Sequence, residues 1–279
     1  MILGEDTVDE TRAFNDELER RQATLERIET VPAERTRAAD RTGDGLFPAP
    51  VYVPQARWVD VPSRSGGIRL RVVAPKDQEP VGAYLHIHGG GWVLGAADNQ
   101  DPLLEAVAEF GGLTAVSVEY RLAPEHLYPA AHDDCEDAAL WLLEHGAEAL
   151  GVPARFTIGG ESAGAHLSAT TLLRLRDRHG ITGAFGGANL VYGAFDISGT
   201  PSSRSFDRLL VLSASSMAWF TDTYYDGRDG EALRDPDISP LFADLRVYAE
   251  GCHVFNAFEL AIAETANVSQ IEFLRGAVA

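Results

Sequence analysis

Cysteine is scarce: the 279 residues hold only Cys135 and Cys252. Two thiols make no disulfide framework, and neither lies in a C-x-x-C pair or at zinc-ligand spacing, so no metal site is expected. A reducing, cytoplasmic setting is the matching expectation. Long apolar runs are lacking too, and nothing reaches the length that spans a bilayer. The first ten residues are acidic and lack the basic start and apolar stretch of a secretory leader. Basic residues are few, with 23 Lys and Arg against 42 Asp and Glu, for a formal charge of −19. Such a surface repels phosphate backbones and anionic lipid, which argues against nucleic-acid and membrane partners.

What remains is an ordinary globular mixture, 45% hydrophobic and 23% charged, sufficient for one large domain with an appended cap. Residues 6–40 are rich in Glu, Arg and Ala, with Phe14, Leu18 and Leu25 near helical spacing. Gly43, Gly45, Pro48, Pro50 and Pro54 then read as a linker. Alternating strands are expected at 58–61 and 68–73. Further strands are expected at 83–88, 114–120, 155–159 and 188–195, with helices at 101–110, 131–149 and 163–178 between them. Strands alternating with helices predict an α/β fold, a mostly parallel sheet with an antiparallel N-terminal edge. Residues 200–232, Ser- and Asp-rich with Trp219, Phe220, Tyr224 and Tyr225, read as an insertion over the top of the sheet.

Three segments carry chemistry. Gly160-Glu161-Ser162-Ala163-Gly164 has the G-x-S-x-G spacing between an expected strand and an expected helix. A nucleophile there stands on a tight turn, flanked by small residues, with a helix N-terminus aimed at developing negative charge. His88-Gly89-Gly90-Gly91-Trp92 follows another strand. Its glycines let backbone N–H groups approach a ligand, as the oxyanion of a tetrahedral intermediate requires. There is no G-K-[ST] or G-x-G-x-x-G to suggest a phosphate loop. His253, late in the chain after the short apolar run 247–249, suits a general base for Ser162. His86 and His88 read as supports of the glycine loop, and His166 as a packed helix residue. His126, His132, His145 and His179 read as loop or surface residues.

On these motifs, with Tyr120-Arg121-Leu122-Ala123-Pro124-Glu125 and Gly251-Cys252-His253-Val254-Phe255, the chain resembles the hormone-sensitive-lipase-like branch of the α/β-hydrolases, bacterial carboxylesterases with an H-G-G-G motif. The resemblance covers roughly residues 40–279. It implies an α/β-hydrolase fold, with residues 1–45 as N-terminal cap helices, 46–279 as the catalytic domain and 200–232 joining the cap. It implies Ser162 as nucleophile and His253 as base, with the backbone N–H groups of Gly90, Gly91 and Ala163 as the oxyanion hole. It also implies that Arg121 braces the sheet. The expected activity is hydrolysis of short to medium acyl esters through an acyl-enzyme, with no cofactor and a small-molecule ester as substrate. A catalytically impaired binding scaffold and an amidase or deacetylase are the alternatives.

The sequence departs from the family at the triad acid. The family's order is Ser, acid, His, with the acid in an Asp-Pro-Leu-type motif after a strand. Here a strand, the acid and a helix are missing between about Leu245 and Arg246. Either a stretch is absent at that point, or another carboxylate serves: Asp196 is the best substitute in cis, and Asp235, Asp237 and Asp244 are weaker ones. A sheet short of one strand exposes an edge, for which a homodimer is the expected cover.

Overall fold

The computed structural model describes residues 5–206, 208–243, 271 and 275. In chain order the helices are α1 (Glu5–Gln22), α2 (Ala33–Thr42), α3 (Asp101–Gly111), α4 (Ala130–Trp141), α5 (Ala147–Leu150), α6 (Ala163–His179), α7 (Pro201–Ser205) and α8 (Ala214–Tyr225). The strands are β1 (Arg57–Val61), β2 (Ile68–Val73), β3 (Ala83–Ile87), β4 (Thr114–Glu119), β5 (Phe156–Glu161) and β6 (Phe185–Val191).

They form one six-stranded sheet in the order β1-β2-β4-β3-β5-β6. The β1–β2 and β2–β4 pairs are antiparallel, whereas β3, β4, β5 and β6 run parallel. This is the α/β architecture that the alternating pattern predicts. Both faces of the central strands are covered, so β3 and β5 are buried at every position. Leu85, Ile87, Val116, Val118 and Ile158 belong to the larger core with Ala138 and Leu142 of the α4 region and Leu167 of α6. Val73, Tyr84 and Ala115 face the other way, onto Leu104, Val107 and Ala108 of α3. Among the described residues β6 is the last strand, and it is only half-buried.

The N-terminal helices are tied to the insertion. Leu18 of α1 packs with Leu210 and Val211. The Gln22 carboxamide donates to Val211 O at 3.0 Å and accepts from Val211 N at 2.9 Å. Arg37 of α2 donates from Nε to Val93 O at 2.7 Å and pairs with Glu125. That contact clamps the segment following the glycine motif.

One expectation holds with a local irregularity, and two need correction. The helix expected over 131–149 is borne out from Ala130 to Leu150, with one wider turn over 142–146 between α4 and α5. Within it Leu142 is fully buried, and its side chain lies where a Gly146 Cβ would stand. The strand expected over 188–195 is β6 at Phe185–Val191. At Tyr192 φ is 38°, and the Phe195 ring folds back where a Gly193 side chain would stand. The apolar residues after Val191 therefore form a loop. His132, expected at the surface, is fully buried, with Nδ1 2.8 Å from Tyr224 Oη. Its acidic neighbours in the sequence concealed the aromatic lid that α8 lays over it.

Candidate active site

Ser162 is the hinge between β5 and α6. Its φ of 57° and ψ of −119° lie in a region that a side-chain-bearing residue seldom adopts. The turn is held by the Ser162 N–H, which donates to Val191 O at 2.9 Å, and by the Ser162 carbonyl, which accepts from His166 N at 3.1 Å. Gly160 and Gly164 flank it because neither has space for a Cβ: each would strike the Ile87 carbonyl. Strand and helix thus approach to backbone contact, and the hydroxyl is placed at the N-terminus of the 17-residue α6, where free N–H groups and the helix dipole favour negative charge.

The glycine motif leaves β3 beside this turn. A Cβ on Gly89 would lie 3.5 Å from Ser162 Cβ, so the two loops touch. Gly90 and Gly91 have φ of 117° and 59°, and the Gly90 carbonyl accepts from Val93 N at 3.1 Å and Leu94 N at 2.8 Å. This reversal needs glycine, because a Gly90 Cβ would strike the Leu94 carbonyl. At Gly91 the Phe220 ring of α8 occupies the side-chain position.

Buried aromatic and imidazole groups hold the loop. His88 stacks on Tyr120 at 4.1 Å between ring centroids, and its Nδ1–H donates to Gly89 O at 2.7 Å. Tyr120 Oη donates to His88 O at 2.9 Å. Burial pushes His88 down to about 3, so its ring is neutral. Trp92 Nε1 donates to His166 Nδ1 at 3.2 Å, and His166 Nε2 donates to Ile238 O at 2.8 Å. Both ring nitrogens of His166 are thus engaged, and burial lowers it to about 4. It packs, as its place in the sequence suggests. Arg121 pairs with the buried Asp134 at 2.9 Å, the bracing contact that the resemblance implies.

Of the expected catalytic groups, Ser162, Gly90, Gly91 and Ala163 lie together. His253 and Asp244 lie outside the described residues. The Asp196 carboxylate, in the loop after β6, accepts from Ser198 Oγ at 2.6 Å. Asp235 Oδ1 accepts from Asp237 N at 2.9 Å. Asp237 is committed elsewhere, which corrects its candidacy: it accepts from Arg174 Nε at 2.5 Å and from Tyr128 Oη at 2.6 Å. Burial alone would raise its pKa, but Arg174 and Tyr128 hold it well below the usual carboxylate range. Sequence reasoning missed this cluster and the Phe220 contact, since both join residues far apart in the chain. The aromatic density of α8 was the one available signal. Among the described residues no group of three or more His, Cys, Asp or Glu could hold a metal ion. None of the described helices is long and apolar enough to cross a membrane.

Comparison with known proteins agrees with this geometry. A family model described as the alpha/beta hydrolase fold matches residues 84–267. The carboxylic ester hydrolase LipN of Mycobacterium tuberculosis is 32% identical over 202 residues, which is 71% of this chain and 54% of LipN. The ethyl acetate hydrolase of Pseudomonas putida is 33% identical over 181 residues, 63% of this chain and 56% of that protein. The chain thus spans about half the length of the curated relatives it matches. The solved structure of a hyperthermophilic esterase from Pyrobaculum calidifontis superimposes with a TM-score of 0.82 at 27% identity, covering 100% of both chains. A matched region of this extent, laid over a sheet that carries its serine on a strand–helix turn, places the chain in the α/β-hydrolase fold family.

Proposed function

We propose that the protein is a serine carboxylesterase acting on small esters of short to medium acyl chain. The observation that carries this reading is the contact between the Ser162 turn and the glycine loop, with Gly89 directly against the serine. Ser162 Oγ attacks the ester carbonyl and His253 takes its proton. The carbonyl oxygen, now negative, receives N–H groups from Gly90, Gly91 and Ala163. The tetrahedral intermediate collapses as protonated His253 gives its proton to the leaving alcohol. Water, activated by the same base, then releases the acid. Relatives named as carboxylic ester hydrolase and ethyl acetate hydrolase support ester rather than amide substrates.

Asp196 is the carboxylate proposed to orient His253, since its loop leaves β6 where the Val191 carbonyl meets the Ser162 N–H. Residues 1–45 and 200–232 are proposed as the cap, a reading supported by the Gln22–Val211 contacts and by Phe220 over Gly91. A homodimer through β6, the last strand of the sheet among the described residues, is the proposed assembly, and a monodisperse monomer in light scattering would refute it.

The test is hydrolysis of p-nitrophenyl butyrate together with fluorophosphonate labelling. Wild-type protein should do both, and Ser162→Ala neither. Turnover retained in Ser162→Ala would overturn the assignment. A wild-type pocket that ignores both reagents would indicate a binding scaffold. Asp196→Asn should lower kcat by about 10⁴-fold if it orients the base, and an unchanged rate would place that role on another carboxylate.

A further inference from the structure

Glu161 precedes the nucleophile in sequence yet takes no part in the chemistry above. Its carboxyl is buried, and its oxygens lie 3.1 and 3.3 Å from Nε2 of His86, which is itself fully enclosed. His86 Nδ1 lies 2.8 Å from the buried Ser117 Oγ. The register explains the meeting. His86 on β3 sits opposite Ser117 on β4 and Gly159 on β5, and Glu161 is two residues further along β5.

Burying a carboxyl and an imidazole costs free energy that an apolar pair of the same volume avoids, so their presence calls for a role beyond filling space. Their position supplies one. β5 ends at Glu161 and Ser162 follows, while β3 ends at Ile87, one residue past His86, and leads through His88 into Gly89. The His86–Glu161 contact therefore joins the bases of the two loops whose separation sets the reaction geometry.

We propose that Glu161 and His86, backed by Ser117, form a positioning pair that fixes the Ser162 turn relative to the Gly90 and Gly91 amides. This rests on the esterase reading above and adds residues to it. The Ser117 hydroxyl donates to Nδ1 and Nε2–H donates to the Glu161 carboxyl, so one tautomer spans the three strands. A displacement of about 1 Å between reacting groups costs on the order of 10²-fold in rate.

The experiment compares Glu161→Leu, Glu161→Gln and Ser117→Ala, alone and combined, on p-nitrophenyl butyrate. Rates are expressed per serine titrated by fluorophosphonate, which removes any misfolded fraction. Glu161→Leu should lower kcat on the order of 10²-fold with KM changed less than about threefold. Glu161→Gln keeps an acceptor for Nε2–H and should recover most of that loss. Ser117→Ala should cost several-fold in the wild type and nothing further beside Glu161→Leu. Should Glu161→Leu not fold, Ser117→Ala carries the test, and a kcat per titrated serine equal to wild type overturns the proposal. A kcat for Glu161→Leu within about twofold of wild type, or a loss confined to KM, overturns it as well. In those cases the wild type still turns over and Ser162→Ala does not, so the esterase reading stands. A wild type without turnover fails both.

Discussion

Gly91 carries two demands at once: a φ of 59° and a side-chain position filled by the Phe220 ring. Alanine there meets the first as strain and the second as a collision, so the peptide that presents the Gly91 N–H must move. Removing one oxyanion donor costs about 3 kcal/mol, and Gly91→Ala should accordingly lower kcat on p-nitrophenyl butyrate by about 10²-fold with little change in KM. An unaffected kcat would take that N–H out of the mechanism. At this scale the site was legible because glycine is the residue that tolerates such backbone, and H-G-G-G and G-x-S-x-G announce it in the sequence. Phe220 was not legible as the partner of Gly91, because only the folded chain brings α8 over the loop. His132 misled for a related reason. A histidine among acidic neighbours reads as exposed until Tyr224 stacks on it, at 5.8 Å between ring centroids and nearly parallel.

Among elements, the joint that ties the segment after α8 to the rest is Arg174 of α6. Its guanidinium is buried, and it binds Asp237 through Nε at 2.5 Å, Asp133 at 2.8 Å and Glu136 at 3.2 Å. Arg64 and Arg178 complete the charge balance around Glu136. The cluster joins α4, α6 and the 235–239 turn, whose Ile238 carbonyl accepts from His166 behind the glycine loop. Arg174→Met removes the buried cation from Glu136 and two partly buried aspartates, which keep Arg64 and Arg178 as partners, so the loss should fall at the low end for a broken buried pair, about 3 kcal/mol. Asp237→Asn still accepts from Arg174 and should cost about 1–3 kcal/mol. Urea unfolding midpoints read both, and an Arg174→Met chain as stable as wild type would show that the cluster contributes nothing net. The strand and helix pattern up to α6 was legible, since buried parallel strands and amphipathic helices write distinct periods. The end of β6 was not, because residues 192–195 are as apolar as a strand yet turn away after Val191. Asp237 looked available in the sequence for the same reason that its partner was invisible: ion pairs between distant elements leave no local pattern.

For the whole molecule, two responses to acid oppose each other. The formal charge of −19 makes the folded chain repel itself, and protonating carboxylates relieves that repulsion. Against this stand the buried imidazoles of His88, His132 and His166. Burial lowers His88 to about 3 and His166 to about 4, and holds His132 well below its ordinary value of 6.5. As pH falls below 6.5 the unfolded chain takes up protons that the folded one refuses, so stability drops with acidity. Each such group contributes about 1.4 kcal/mol per pH unit until its folded value is reached, or about 3 kcal/mol for His166. Most surface carboxylates begin to protonate only near their own lower pKa values, and their mutual repulsion is screened over about 8 Å at physiological salt. Between pH 6.5 and 5 the histidines therefore dominate. The melting temperature should be nearly level from pH 8 to 7 and fall steadily from 6.5 to 5. Below that, Asp237 adds to the loss, because its folded pKa lies under the unfolded 3.8 and its stabilising charge disappears as that range is crossed. His166→Gln separates the two effects. Its amide can still accept from Trp92 and donate to Ile238 O, yet it takes up no proton, so the acid slope should shrink by about one proton's share. A melting temperature that rises between pH 6.5 and 5, or a slope unchanged in His166→Gln, would give the surface charge the larger part and leave the buried imidazoles without effect on the balance.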